Sequence, residues 1–176
     1  MNYKPIAMAA WGFIASDGSQ LSTVNWQLST DRVRIYIEQG GMLVAKRCPL
    51  HLTGGKPLYC TRCGHFFSLT RFGLREIKPC FIPPVNPRLC HTRYPFMRQY
   101  DNQTCHRLMA ATWVGIRPAG VQIDHLNGDM LDWRADNLQY VTPAENSRRA
   151  MLLRVIRSAG VDPRTLSRTQ LLTIFG

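Results

Sequence analysis

Asp124 and His125 stand side by side at the end of the short alternation Val121-Gln122-Ile123, and Asp136-Asn137 and then Asn146 follow within the same stretch. A carboxylate is a hard oxygen ligand suited to Mg²⁺ or Mn²⁺. A neutral imidazole can take up a proton near pH 7. Together they meet the two needs of phosphodiester hydrolysis, a water made nucleophilic and a cation to absorb charge on the departing oxygen. Asn137 suits a different job, because an asparagine amide can bond the backbone of its own loop and so pin it. Asn146 would be a second oxygen ligand if it faces back toward the strand.

Such residues act only if ordered elements hold them. Alternation sends Val121 and Ile123 into a core and then delivers Asp124 and His125. Thr142-Pro143-Ala144-Glu145 is a strong helix start: Thr142 caps, Pro143 suits the first helical position and Glu145 completes a capping box. That places Asn146 in the first turn. The helix is expected to run to Ser158, packing through Met151, Leu152, Val155 and Ile156, with Gly160 as its end. Upstream, Cys105 to Gly115 reads as a helix with Leu108, Met109, Thr112 and Trp113 inward and Gly115 as its stop. A last short helix should begin near Pro163 and hold Leu166, Leu171, Leu172 and Ile174.

The first third reads as β-structure. Residues 10–15 run into Asp17-Gly18, a good hairpin turn. From Arg32 to Glu38 the chain alternates, with Val33, Ile35 and Ile37 on one face and Arg34, Tyr36 and Glu38 on the other; Met42 to Ala45 is the expected return strand. The middle, from Pro57 to about Tyr100, is broken by Gly64, Gly73 and several prolines, so short strands and turns are expected, with Tyr59-Cys60 and His65 to Leu69 the best candidates.

With 176 residues and 45% apolar content the chain can bury a core. Its charge is lopsided: 22 Lys and Arg against 11 Asp and Glu, a net of +11. That favours a polyanionic partner, nucleic acid being the common case, although a ribosome-associated or merely basic protein fits the composition as well. Four of the acids, Asp124, Asp129, Asp132 and Asp136, crowd into one window, flanked on both sides by arginine-rich stretches. An acidic island between basic flanks can hold a cation in the middle and phosphates around it. The apolar run from Pro5 to Ile14 is too short to span a bilayer and reads better as a strand than as a signal peptide, so no membrane role and a cytoplasmic location are expected. Cys60-Thr61-Arg62-Cys63 lacks a second close pair, with Cys80, Cys90 and His91 only loosely spaced, so buried thiols are expected rather than structural zinc.

The ordered set from Cys105 to Ala150 resembles the HNH nuclease motif in its asparagine-ending form, found among phage and homing-type endonucleases. It comprises His106-Arg107-Leu108 opening a helix, Asp124-His125-Leu126-Asn127-Gly128, Asp136-Asn137-Leu138 and Thr142 to Asn146. The resemblance implies an α+β chain with a ββα-metal core, a β-rich N-terminal module and a helical C-terminal tail. It implies His125 as the base that activates water, Asn137 as the loop pin, and Asp124 and Asn146 as ligands of one Mg²⁺ or Mn²⁺. Double-stranded DNA is the implied partner, with Arg107, Arg148, Arg149 and Arg154 as candidate contacts. Homing-type relatives often carry a small β-module before the motif, and Leu58 to Pro79 loosely looks like one. The expected division is therefore an accessory region over 1–56, a small module over 57–104, the nuclease core over 105–158 and a C-terminal helix over 159–176. Trp133, where an asparagine is common, should alter the loop surface or stack on a base. For His106 a buried, backbone-bonded role is favoured over substrate contact; for Arg149 a phosphate contact and a solvated side chain stand even. Two other readings stay open: a DNA-binding protein on the same scaffold without catalysis, and an RNA-binding protein stapled by zinc through Cys60 and Cys63.

Overall fold

The computed structural model of the chain describes residues 11–14, 20–29, 31–37, 41–71, 73–81 and 94–176. Seven antiparallel strands lie side by side in chain order: β1 (Trp11–Ile14), β2 (Gln20–Leu28), β3 (Arg32–Ile37), β4 (Gly41–Arg47), β5 (Leu58–Thr61), β6 (Phe66–Thr70) and β7 (Gly73–Ile77). The expected Asp17-Gly18 turn, Glu38, the prolines at 83, 84 and 87, Cys90 and His91 lie outside the described residues. In β3 the alternation holds: Val33 and Ile35 are buried and Arg34 is exposed. Only the backbone of Tyr36 and Ile37 is described. Strand β4 returns beside β3 with Ile35 opposite Leu43. The sheet continues from β4 into β5, on either side of residues 56 and 57.

Strands β5 and β6 carry apolar side chains on both faces. Leu58, Cys60 and Phe66 join one buried cluster, while Tyr59 and Phe67 join Val33, Ile35, Ala45 and Leu74 in another. Period-2 alternation sorts adjacent residues to opposite faces, so a strand covered on both sides reads as a continuous apolar run. The first cluster is where the rest of the molecule docks: it takes in Leu108, Met109 and Ala110 and then Ala135 and Leu138.

A two-stranded hairpin, β8 (Phe96–Met97) with β9 (Gln103–Thr104), leads into α1 (Cys105–Met109). One π-turn, Ala110–Val114, prolongs the helix, and Gly115 at φ 122° ends it. Leu108 and Met109 are buried as the sequence predicts, with Thr112 and Trp113 half-buried. The hairpin β10 (Gln122–His125) and β11 (Leu138–Val141) follows, and then α2 (Pro143–Ser158). Thr142 caps α2, its Oγ1 accepting from Glu145 N at 3.2 Å. Only half of the capping box forms, because the Glu145 carboxylate turns to Arg148 and Arg149.

The buried face of α2 differs from the expected one. Met151 and Val155 are each 58% exposed, whereas Leu153 is buried, with Leu152 and Ile156 beside it. The helix packs against the loop after β10 and against α3 (Arg168–Phe175), and these two neighbours cover a narrower stripe than the sequence offers. Ser167 and Gln170 form a full capping box on α3. Its inward residues are Leu171 and Phe175, while Leu172 and Ile174 face outward. The described residues are α+β, a seven-stranded sheet and two two-stranded hairpins, with the α-helices in the C-terminal part of the chain.

Candidate functional site

Asn137 closes the loop between β10 and β11. Its Oδ1 accepts from Asn127 N at 3.0 Å, and its Nδ2 donates to Asn127 Oδ1 at 2.9 Å and to the Asp132 carbonyl at 2.8 Å. Asn127 in turn donates to Asp132 Oδ2 at 2.9 Å and accepts from Asp129 N. Both amides are buried, so each bond is made where water cannot replace it. Gly128 sits at φ +67°, and a Cβ there would meet Leu153 Cδ1 at 2.8 Å. A side chain at this position is therefore strained on two counts. Asp129 and Asp132 are loop acids, as expected; Asp132 also forms an ion pair with Arg134.

Trp133 anchors the loop to the sheet. Its Nε1 donates to the Gly64 carbonyl at 2.9 Å, and its ring packs on the first buried cluster. Arg62 adds a second tie, donating to Asp136 Oδ1 at 2.9 Å. The side chain that departs from the usual pattern thus fastens the loop to the β5–β6 turn.

Asp124 and His125 leave β10 on opposite faces, as strand alternation requires. Asp124 turns toward Gln139, its cross-strand partner, whose Nε2 donates to Oδ2 at 2.9 Å, and toward Arg149, whose Nη1 lies 3.6 Å from the same oxygen. Burial raises the Asp124 carboxyl above its ordinary value, and the Gln139 bond and the Arg149 charge work against that rise. One turn before Arg149 along α2, Asn146 donates through Nδ2 to Gln122 Oε1 at 2.7 Å. Gln122 and Asp124 share a strand face, so Asn146 and Arg149 both lie over that face. Arg149 is only 12% exposed, and its guanidinium sits 4.8 Å above the Phe175 ring. The solvated alternative for this arginine is thereby set aside. Glu145 binds both Arg148 and Arg149, and these partners pull its carboxyl down to about 2.

His125 faces the other way, into a group of rings. Its imidazole stacks on Tyr94 at 5.8 Å and meets His106 edge-on at 5.4 Å. The side chain is buried, and burial pulls its pKa down to about 4 against the smaller opposing pull of Asp132 and Asp129. The ring is therefore neutral at pH 7. Its Nε2 is enclosed and has no hydrogen-bond partner among the described residues. The same holds for His106 Nδ1, so the expected backbone bond is not made by that nitrogen.

The donors on the Asp124 face suit a hard cation. Asp124 offers carboxylate oxygen, and Asn146, whose Nδ2 is engaged by Gln122, has Oδ1 left to give. Among the described residues no three of His, Cys, Asp and Glu gather closely enough to hold a metal. The expected pair contains only one such residue. Of the remaining candidate residues, Arg148 is exposed and bound to Glu145 and the Phe175 carbonyl, and Arg107 and Arg154 are exposed. The thiols divide: Cys60 is buried 3.6 Å from the Cys48 sulfur, but Cys63 is exposed, contrary to the expectation of two buried thiols. Sequence reasoning missed Gln122, Gln139, Tyr94 and Phe175. The two glutamines could have been found only from the strand register, and the two aromatics only from tertiary packing.

Residues 104–148 match the HNH endonuclease family model, a span that runs from the cap of α1 through the hairpin into α2. This segment is similar to that family's motif. Over 112 residues the chain is 26% identical to the "SPbeta prophage-derived putative HNH homing endonuclease YosQ" of Bacillus subtilis (strain 168), covering 64% of this chain and 62% of that protein. No solved structure matches the chain significantly. Among the described residues, no helix is long and apolar enough to cross a membrane.

Proposed function

We propose that this chain is a metal-dependent DNA endonuclease of the HNH type, with hairpin β10–β11 and helix α2 as a ββα-metal core. The observation that carries the reading is the neutral, buried His125 with an unpartnered Nε2, set inside the family-matched segment. His125 takes the proton of the attacking water, and Asp124 and Asn146 hold one Mg²⁺ or Mn²⁺. When bound, that cation supplies charge stabilisation for the departing 3′-oxygen, leaving a 5′-phosphate. Asn137 fixes the loop that follows His125 and leads into β11. Arg149 stands where it can reach a substrate phosphate beside Asp124, and the exposed Arg107, Arg148 and Arg154 grip the backbone of double-stranded DNA. The charge of +11 supports such a partner and a steep loss of affinity with salt. Phage DNA processing or homing in a host cytoplasm is the setting suggested by the prophage origin of the relative.

One observation favours a second reading, a DNA-binding protein without catalysis. Arg149 already neutralises Asp124 at 3.6 Å, which weakens the pull of that carboxylate on a cation. Conversion of supercoiled plasmid at low salt separates the two. The nuclease reading expects nicked or linear product with Mg²⁺ or Mn²⁺ and none with EDTA. DNA retention on a gel without any product under either cation contradicts it.

A further inference from the structure

We propose that Cys63 is the nucleophile of a second reactive site on this chain, paired with His65, and that it takes small peroxides. This site is independent of the nuclease centre. The turn between β5 and β6 builds it. Thr61 N bonds the His65 carbonyl at 2.9 Å, Gly64 N bonds the Thr61 carbonyl at 3.1 Å, and His65 N bonds Thr61 Oγ1 at 3.1 Å. Those three bonds hold Cys63 and His65 on one tight bend. The Thr61 hydroxyl already accepts from His65 N, lies 3.1 Å from the Cys63 sulfur and has its own hydrogen to give. Glu76, on β7, meets His65 Nδ1 at 2.8 Å and so fixes the ring that bonds the sulfur. A thiol, an imidazole and a carboxylate thus stand in a row.

Cys60, three residues earlier, shows what an inert thiol looks like: it is buried, and its sulfur lies 3.6 Å from that of Cys48. Cys63 differs in access and in charge. It is exposed, beside a cavity of about 320 Å³ that His65, Glu76, Lys78, Asp129, Asp132 and Arg134 also line. Glu76 is engaged by His65 and Asp132 by Arg134, and the Arg134 charge also interacts with the sulfur. Burial pushes the Cys63 thiol up, but the His65 and Thr61 hydrogen bonds and the imidazole charge outweigh it and bring the group below its ordinary value. The thiolate is the nucleophilic form, and an accessible thiolate is what peroxides oxidise. The sulfur attacks one peroxide oxygen; an S–O bond forms, and the O–O bond breaks with its electron pair on the leaving hydroxide. His65 gives that hydroxide a proton, leaving water, a neutral imidazole and Cys63 as a sulfenic acid. The sulfur is oxidised by two electrons and the peroxide is reduced by two.

The test treats the folded full chain with iodoacetamide between about pH 5.5 and 9.5 and reads alkylation of the Cys63 peptide by mass spectrometry. Wild type and His65→Gln are compared, each checked for its melting temperature, with Cys63→Ser to confirm the assignment of the peptide. The expected wild-type rate is half-maximal clearly below about pH 8.5, where a free cysteine titrates. His65→Gln should return the midpoint to about 8.5 or above and slow alkylation at pH 7 by about 3-fold or more. Hydrogen peroxide followed by dimedone should then mark Cys63 in wild type and mark it less in His65→Gln. A wild-type midpoint at or above about 8.5 overturns the inference, and it decides even if the variant does not fold. An unchanged midpoint in a folded His65→Gln overturns the role of the imidazole. Absence of the dimedone mark from Cys63 overturns the assignment of peroxide as its substrate.

Discussion

The turn between β5 and β6 holds a half-buried histidine and the centre on β10 a buried one, yet the two are treated in opposite ways. At the turn, His65 Nδ1 meets Glu76 Oε1 at 2.8 Å, its backbone N–H bonds Thr61 Oγ1, and that hydroxyl lies 3.1 Å from the Cys63 sulfur. Each of these groups is answered by a neighbour. The Cys63 sulfur first and the Glu76 carboxylate second raise the His65 pKa to about 10, so the ring is charged at pH 7. On β10, His125 is neutral, held down mainly by burial, and its Nε2 goes unanswered. Six buried side-chain atoms among the described residues lack a hydrogen-bond partner; two of them, His125 Nε2 and Arg149 Nη1, belong to the proposed centre, the latter facing Asp124 at 3.6 Å without bonding it. Closed polar sets hold a structure together, whereas open ones mark where something else is expected to bind.

That contrast can be broken most severely at Asp124. Asp124→Asn removes the charge that faces Arg149 and that the proposed cation would share, and DNA cleavage should fall by about 100-fold or more, as for loss of a group that stabilises the transition state. Little change in gel-based rates would put the cation elsewhere. Next in size is Asn137→Ala. It removes three buried hydrogen bonds and leaves Asn127 N and the Asp132 carbonyl open. The expected cost is about 3 kcal/mol, read by urea denaturation. A loss under ~0.5 kcal/mol would mean that the loop is held without its amide.

Trp133→Phe keeps most of the ring packing but leaves the Gly64 carbonyl without its donor. A cost of about 1 kcal/mol is expected, with cleavage reduced less than by Asp124→Asn. An unchanged unfolding midpoint would show that sheet and loop are not tied there. The smallest effect sharpens the turn side of the comparison. His65 has a folded pKa of about 10, above the ordinary 6.5. Its contribution to stability is therefore fully present below pH 6.5 and is lost as pH rises toward 10. Melting temperatures of His65→Gln and wild type should converge along that rise, and a gap that stays constant would contradict the ion pair.

Much of the hairpin and helix was legible because local chemistry writes its ends. Thr142-Pro143 starts α2, and Gly115 stops the turn after α1. The inward face of α2 was not legible: apolar residues at 151, 152, 155 and 156 satisfy a helical period, but the neighbours cover a stripe centred on Leu153. Gln139 was hidden because its place beside Asp124 depends on the register of two strands. Phe175, far along the chain, reaches Arg149 only through the packing of α3. Trp133 was read from its type as a surface or stacking group, yet it serves as an anchor because Gly64 lies within reach of its indole N–H.

The most direct test of the central claim compares wild type with His125→Ala in plasmid cleavage at low salt with Mg²⁺ or Mn²⁺, both proteins purified alike and folded by circular dichroism. Removal of the proposed general base should lower cleavage by about 100- to 10,000-fold while DNA binding persists. Equal cleavage by the two proteins would contradict the account.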